Sequence, residues 1–118
     1  MPNQVIHFEV HGSDAAKSQE FYASVFGWNV DANNPQNYGM VTTGGDKGIS
    51  GGITGGMGAT MATFYVEVED LEATLQKAEA KGAKRVMGPE DIEGGPSIAM
   101  FADPDGNVIG LTKAGTMN

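Results

Sequence analysis

Apolar and polar residues alternate in two stretches of the chain, VIHFEV at residues 5–10 and TFYVEV at residues 63–68. This alternation predicts two half-buried β-strands, each with an apolar face and a polar face. The apolar positions, which we expect to pack beneath helices, are Ile6, Phe8, Val10, Phe64, Val66 and Val68. The polar positions, which we expect on the opposite face, are His7, Glu9, Tyr65 and Glu67.

A helix is predicted after each of these strands. The first begins at Ser13 or Asp14, either of which can cap a helix N-terminus, and it ends at Gly27. The second begins after Asp70 and ends at Gly82. Three short strand-like runs follow each helix, so the order βαβββ is predicted twice.

The repeated βαβββ pattern divides the chain into two modules. Module one covers residues 1–56 and module two covers residues 61–118, and both belong to a single domain over residues 1–118. Residues 54–60 form a glycine-rich connector between them.

Composition excludes several classes of protein. The chain has no cysteine, which rules out a disulfide framework and a thiolate metal site. Seven basic and 15 acidic residues give a net charge of −8, which opposes binding to a phosphate backbone. No apolar run is long enough to span a membrane, and the first residues do not look like a secretion signal. We therefore expect a cytoplasmic protein that binds neither nucleic acid nor membranes.

Three sequence phrases carry a family resemblance: FYASVFGW at residues 21–28, VEVEDLEATLQKAEAKGA at 66–83 and FADPDGNVIGL at 101–111. With the doubled βαβββ order, the chain resembles the glyoxalase, bleomycin resistance and extradiol dioxygenase superfamily, also called vicinal oxygen chelate proteins. It is most similar to the short glyoxalase-related members. The resemblance implies an α+β fold in which two βαβββ modules form an eight-stranded cupped mixed sheet with the helices outside. It also implies a homodimer.

The resemblance further indicates where a metal would bind. Metalloenzymes of this family hold one divalent ion with four side chains, taken from the first and last strands of each module. Carried onto this chain, the four positions are His7, Gly51, Tyr65 and Gly110. Only His7 is an effective ligand, because a neutral phenol binds divalent ions poorly and glycine has no side chain. We therefore predict no cofactor and no metal site, with His7 as the one residual ligand.

The two glycines are expected to leave room in the cup for a guest. We predict a protein of the resistance, sequestration or sensing type that binds an apolar or aromatic small molecule. The predicted ligand-binding residues are His7, Glu9, Gly51, Tyr65, Glu67 and Gly110.

An enzyme of the lyase or isomerase type is the alternative, and the sequence leaves open whether the protein is an enzyme. It would use either a carboxylate base or a rearranged divalent-metal site. The candidate catalytic residues are His7, Glu9 and Glu67. His11 lies roughly 13 Å from His7 along an extended strand, so we do not expect the two to share an ion.

Overall fold

The computed structural model describes residues 2–56 and 58–117. These residues form two compact units: one is Ile6–Thr63, and the other combines the N-terminal residues through Val5 with Phe64 onward. The described part of each unit follows the order βαβββ, so the predicted α+β class and its two modules are confirmed. Met57, in the predicted connector, lies outside the described residues, and Thr54 and Gly55 belong to a strand instead of the connector.

The unit Ile6–Thr63 is a four-stranded mixed sheet with one helix. Its elements are β1 (Val5–Gly12, from Ile6 onward within the unit), α1 (Ala15–Phe26), β2 (Asn29–Asp31), β3 (Gly39–Thr42) and β4 (Gly51–Gly55). The strand order is β2-β3-β4-β1, in which β1 and β4 are parallel and the other pairs are antiparallel. Of the two predicted N-cap candidates of α1, Ser13 and Asp14, the structure selects Asp14, whose side chain accepts from the Lys17 backbone N–H at 3.0 Å. The predicted C-cap Gly27 is confirmed, with φ of 70°.

The other unit repeats this arrangement. Its elements are β5 (Met61–Val68, from Phe64 onward within the unit), α2 (Leu71–Ala80), β6 (Lys84–Asp91), β7 (Ser97–Ala102) and β8 (Val108–Lys113). The strand order is β5-β8-β7-β6, with β5 and β8 parallel. Asp70 caps the N-terminus of α2, as predicted. The apolar core of this unit is formed by Val68, Leu71, Leu75, Ala99 and Leu111, with Val66 and Phe101 packed against it.

The two helices differ in how they pack. α2 buries Leu71 and Leu75, whereas α1, every residue of which is described, buries none. Phe8 of β1 packs against Trp28 on the α1 side, with ring centroids 5.3 Å apart. Phe64, which we expected to be covered by a helix, is covered only in part, because 40% of this residue is exposed.

Neither described helix has the length and apolarity that crossing a membrane requires, within residues 2–56 and 58–117.

Candidate functional site

The polar face of β1 carries His7, Glu9 and His11. Alternate residues of a strand share a face, so these side chains point away from Phe8 and α1. His7 and Glu9 are buried, at 6% and 7% exposure, although both are polar. The His11 side chain is 18% exposed.

Tyr38 joins these residues into one hydrogen-bonded network. Its hydroxyl donates to Glu9 Oε2 at 2.6 Å and accepts from His7 Nε2 at 2.9 Å. The other carboxylate oxygen, Glu9 Oε1, accepts from His11 Nε2 at 2.5 Å. These proton positions follow from the donors and acceptors available, because a carboxylate accepts only. We refer to His7, Tyr38, Glu9 and His11 as the β1 network.

Gly52 lets the Tyr38 side chain reach this face. The residue lies on β4, where it pairs with Glu9 on one side and with Met40 on the other. A Cβ atom at Gly52 would collide with the hydroxyl and ring of Tyr38. The Asn34 side chain anchors the backbone of Tyr38: it accepts from the Tyr38 N–H at 2.9 Å and donates to the Tyr38 carbonyl at 2.7 Å.

Gly51 does not share the face of His7 and Glu9, and that prediction is wrong. Gly51 pairs with Phe8, and a Cβ atom there would collide with the Phe8 ring, on the side of α1. A displacement of one residue along a strand moves a position to the opposite face. Gly52 is therefore the β4 glycine on the network face.

The other unit holds the remaining predicted site residues, Tyr65, Glu67 and Gly110. Gly110 on β8 pairs with Tyr65 on β5, and a Cβ atom at Gly110 would lie 2.6 Å from Tyr65 Cδ2. The expectation that Gly110 leaves open space is wrong, because the ring of Tyr65 fills it. Glu67 pairs with Thr112, whose buried hydroxyl has no hydrogen-bond partner among the described residues.

Two observations bear on the divalent-metal site that the family resemblance implies. Residues 2–56 and 58–117 contain no group of three or more His, Cys, Asp or Glu side chains arranged to hold an ion. Both Glu9 oxygens and His7 Nε2 are directed at other members of the β1 network. The carboxylate, hydroxyl and imidazole groups of the β1 network thus bind one another.

Burial sets the protonation of His7. Removal from water lowers the pKa of His7 below its ordinary value of 6.5, and the opposing attraction of the Glu9 carboxylate is the smaller effect. His7 is therefore a neutral imidazole at neutral pH, which agrees with a single proton on Nε2 donated to Tyr38.

Sequence reasoning missed Tyr38 and excluded His11. Tyr38 precedes β3, and only the pairing of β3 with β4 and of β4 with β1 brings it to Glu9. His11 was considered only against His7, although its separation of two residues from Glu9 already places both on one face. That spacing was the available signal for the Glu9–His11 contact.

Comparison with known proteins places the chain among glyoxalase-related sequences. It is 27% identical to an anthracycline biosynthesis protein of Streptomyces peucetius, over 98% of this chain and 49% of that protein. It is 29% identical to a Mycobacterium tuberculosis protein provisionally named a glyoxylase, over 96% of this chain and 45% of that protein. The chain thus spans about half the length of these two relatives.

The fold is also that of a solved structure in this group. A glyoxalase/bleomycin resistance protein/dioxygenase superfamily member from Vibrio splendidus 12B01 matches with a TM-score of 0.63 and 20% identity, covering 95% of this chain and 99% of that one. The predicted glyoxalase/bleomycin resistance fold is confirmed. The family model for the Glyoxalase/Bleomycin resistance protein/Dioxygenase superfamily matches residues 4–111, and the chain belongs to this superfamily.

Proposed function

We propose that this chain is a metal-independent small-molecule-binding protein of the glyoxalase superfamily, with a degenerate metal site. The observation that carries the proposal is the β1 network, in which Glu9 accepts from both Tyr38 and His11. Binding a cation there would require breaking these hydrogen bonds to a buried carboxylate, at about 1.5–3 kcal/mol each. A neutral ligand that leaves these hydrogen bonds intact does not incur that cost.

An apolar or aromatic compound is the ligand class that we propose. Met40 is 45% exposed and lies beside Gly52 on the face of the β1 network, so an apolar side chain borders the polar groups. Binding sites of this kind combine a mainly apolar surface with a few polar groups. The relative named for anthracycline biosynthesis supports an aromatic ligand, because anthracyclines are polycyclic aromatic compounds.

A metal-free enzyme of the lyase or isomerase type is the second candidate. The observation that favours it is the Glu9–His11 pair, because a carboxylate that orients an imidazole is a common arrangement for a general base. This pair favours a base mechanism over a rearranged metal site.

Ligand binding in the presence of a chelator tests the proposed function. With excess EDTA, we expect naphthalene derivatives to raise the thermal midpoint of the wild-type chain. A ligand at 100 times its dissociation constant adds about 2.7 kcal/mol of stability. Met40→Gln should weaken this effect. The matched control Ile49→Gln, at a residue that is 40% exposed, should not. A ligand response that requires added metal would overturn the proposal.

We also propose that the chain forms a two-fold homodimer. Phe21, Val25 and Phe26 on α1 are 57%, 55% and 57% exposed, which is unusual for large apolar side chains on one helix. A second copy would supply a partner for this surface, as the additional half of the longer relatives could do. Sedimentation velocity should find a dimer in the wild type and in Ile49→Glu, and a monomer in Val25→Glu. A monomeric wild type would contradict the proposal.

A further inference from the structure

His11 is the most accessible histidine of the β1 network. His7 is 6% exposed, whereas the His11 side chain is 18% exposed. His11 Nε2 is committed to Glu9 Oε1. For the second ring nitrogen, Nδ1, the described residues provide no hydrogen-bond partner. Since Nε2 carries the proton in the neutral ring, Nδ1 is an acceptor.

The orientation of this imidazole is fixed by its neighbours. Glu9 is held in turn by the Tyr38 hydroxyl, and Tyr38 is anchored through its backbone by Asn34. On β4, His11 pairs with Thr54, which is 8% exposed. A ring held through successive hydrogen bonds loses little additional freedom when it binds a ligand.

We propose that His11 Nδ1 accepts a hydrogen bond from an acidic hydroxyl on an aromatic ligand, so that the site selects phenols. This proposal rests on the proposed small-molecule-binding function and names the chemical class of its ligand. A phenolic O–H matches an acceptor nitrogen directly. An ether oxygen offers no proton and leaves the nitrogen without a partner.

The surrounding groups favour a neutral hydroxyl over an anionic ligand. Asp31 on β2 pairs with Met40, Met40 pairs with Gly52, and Gly52 pairs with Glu9. Paired residues lie on the same face, so two acidic residues flank the apolar Met40 in this row. The chain as a whole carries a net charge of −8. A carboxylate ligand would be repelled here, whereas an uncharged phenol would not.

Calorimetric titration of a matched ligand pair tests the proposal. We would titrate 2-naphthol and 2-methoxynaphthalene into the wild-type chain in EDTA, because the two compounds share the ring system and differ in the hydroxyl. We expect the wild type to bind 2-naphthol about tenfold more tightly, as one hydrogen bond allows. His11→Phe should remove the preference, and Glu9→Gln should reduce it by releasing the imidazole. The control Glu20→Gln, at an exposed carboxylate on α1, should retain it.

The outcomes separate this proposal from the function on which it rests. Equal affinity of the wild type for the two compounds would overturn phenol recognition and leave small-molecule binding intact. A preference that persists in His11→Phe would also overturn it, because another group would then bind the hydroxyl. If neither compound binds the wild type, the proposed function fails as well. Because His11→Phe also changes packing, His11→Gln serves as a second variant, and circular dichroism checks that both are folded.

Discussion

The two βαβββ modules share one topology but bury different kinds of side chain. In each, the first and last strands pair in parallel and a helix follows the first strand. The module from Phe64 onward has an apolar core that includes two residues of its helix, Leu71 and Leu75. The module Ile6–Thr63 buries no residue of its helix; it buries Val41 and Ile53 of its sheet and, in addition, the polar pair His7 and Glu9. The helix therefore contributes side chains to the core in one copy of the fold, whereas the other copy buries a polar network on its first strand.

The two modules also differ in how they use a glycine on their last strands, β4 and β8. Each lies against a tyrosine ring: Gly52 against Tyr38, and Gly110 against Tyr65. Tyr65 lies on the strand paired with its glycine, whereas Tyr38 comes from the segment before β3 and reaches over β4 to Glu9. Both glycines make room for a ring, but only Gly52 allows a hydroxyl to join a polar network.

The largest predicted effect comes from breaking the apolar core of the module from Phe64 onward. Leu75 is fully buried, so Leu75→Ala should lower the free energy of unfolding by about 2–5 kcal/mol. The corresponding truncation on α1, Phe21→Ala, removes a residue that is 57% exposed in the single chain, so it should cost much less when both truncations are measured in the Val25→Glu background, which we expect to be monomeric. Urea denaturation followed by circular dichroism measures both. Equal losses would contradict the difference between the two helices.

Local rules made the helices and strand faces predictable from the sequence. Gly27 and Asp70 are predictable as caps, and the N-cap of α1 is narrowed to Ser13 or Asp14, because capping depends on a few adjacent residues. The shared face of His7 and Glu9 followed from alternation alone.

The register between strands was not predictable in this way. Gly51 and Gly52 are adjacent, and only the pairing with β1 decides which one faces Glu9. Tyr38 joins Glu9 across 29 sequence positions, through two strand pairings that no local pattern specifies. The complete network therefore could not be predicted from the sequence. Of its two missed members, His11 could have been found, because alternation places it on the same face as Glu9.

The second prediction concerns the central hydroxyl of the β1 network. Tyr38→Phe keeps the ring but removes the group that joins His7 to Glu9, and it should cost about 1–3 kcal/mol because a buried carboxylate oxygen loses its donor. Tyr22→Phe is the matched control: its ring stacks on Trp28 and its loss of a hydroxyl should change stability by less than about 0.5 kcal/mol. Chemical denaturation measures both variants. A Tyr38→Phe protein as stable as Tyr22→Phe would contradict a stabilising role for the β1 network.

Protonation of His7 is expected to have a smaller effect on the free energy of unfolding. Burial lowers the pKa of His7 in the folded chain, so below about pH 6.5 the unfolded chain binds the additional proton first. Stability should therefore fall as pH decreases through 6.5 and level off below the folded pKa. Within the β1 network, His7 is bonded to Tyr38, Tyr38 to Glu9, and Glu9 to His11.

Denaturation at pH 5, 6, 7 and 8 would measure this dependence against His7→Gln. The variant should have a flatter profile, and the module from Phe64 onward has no histidine that could replace the effect. A His7→Gln profile as steep as that of the wild type would assign the dependence to another group.

The smallest effect is predicted for an ion pair on the exterior of the module from Phe64 onward. Arg85 donates to both carboxylate oxygens of Glu72, at 2.9 and 2.8 Å, and these hydrogen bonds lower the pKa of Glu72 to about 2. Both groups face solvent, so Glu72→Gln should shift the thermal midpoint less than Leu75→Ala, Tyr38→Phe or His7→Gln. The contribution is present above the ordinary pKa of Glu72, 4.5, and is lost as pH falls toward 2, where variant and wild type should converge. Divergence at low pH would contradict this assignment.

The central claim is that the side chains of the β1 network hydrogen-bond to one another and do not bind a cation. Metal analysis of the purified chain tests this claim most directly. Protein purified without chelator would be analysed for metals by mass spectrometry and then titrated calorimetrically with Zn²⁺, Ni²⁺ and Fe²⁺, with His7→Ala in parallel. We expect substoichiometric metal and the same weak heats of binding for both proteins. One equivalent of tightly bound metal that is absent from His7→Ala would contradict it.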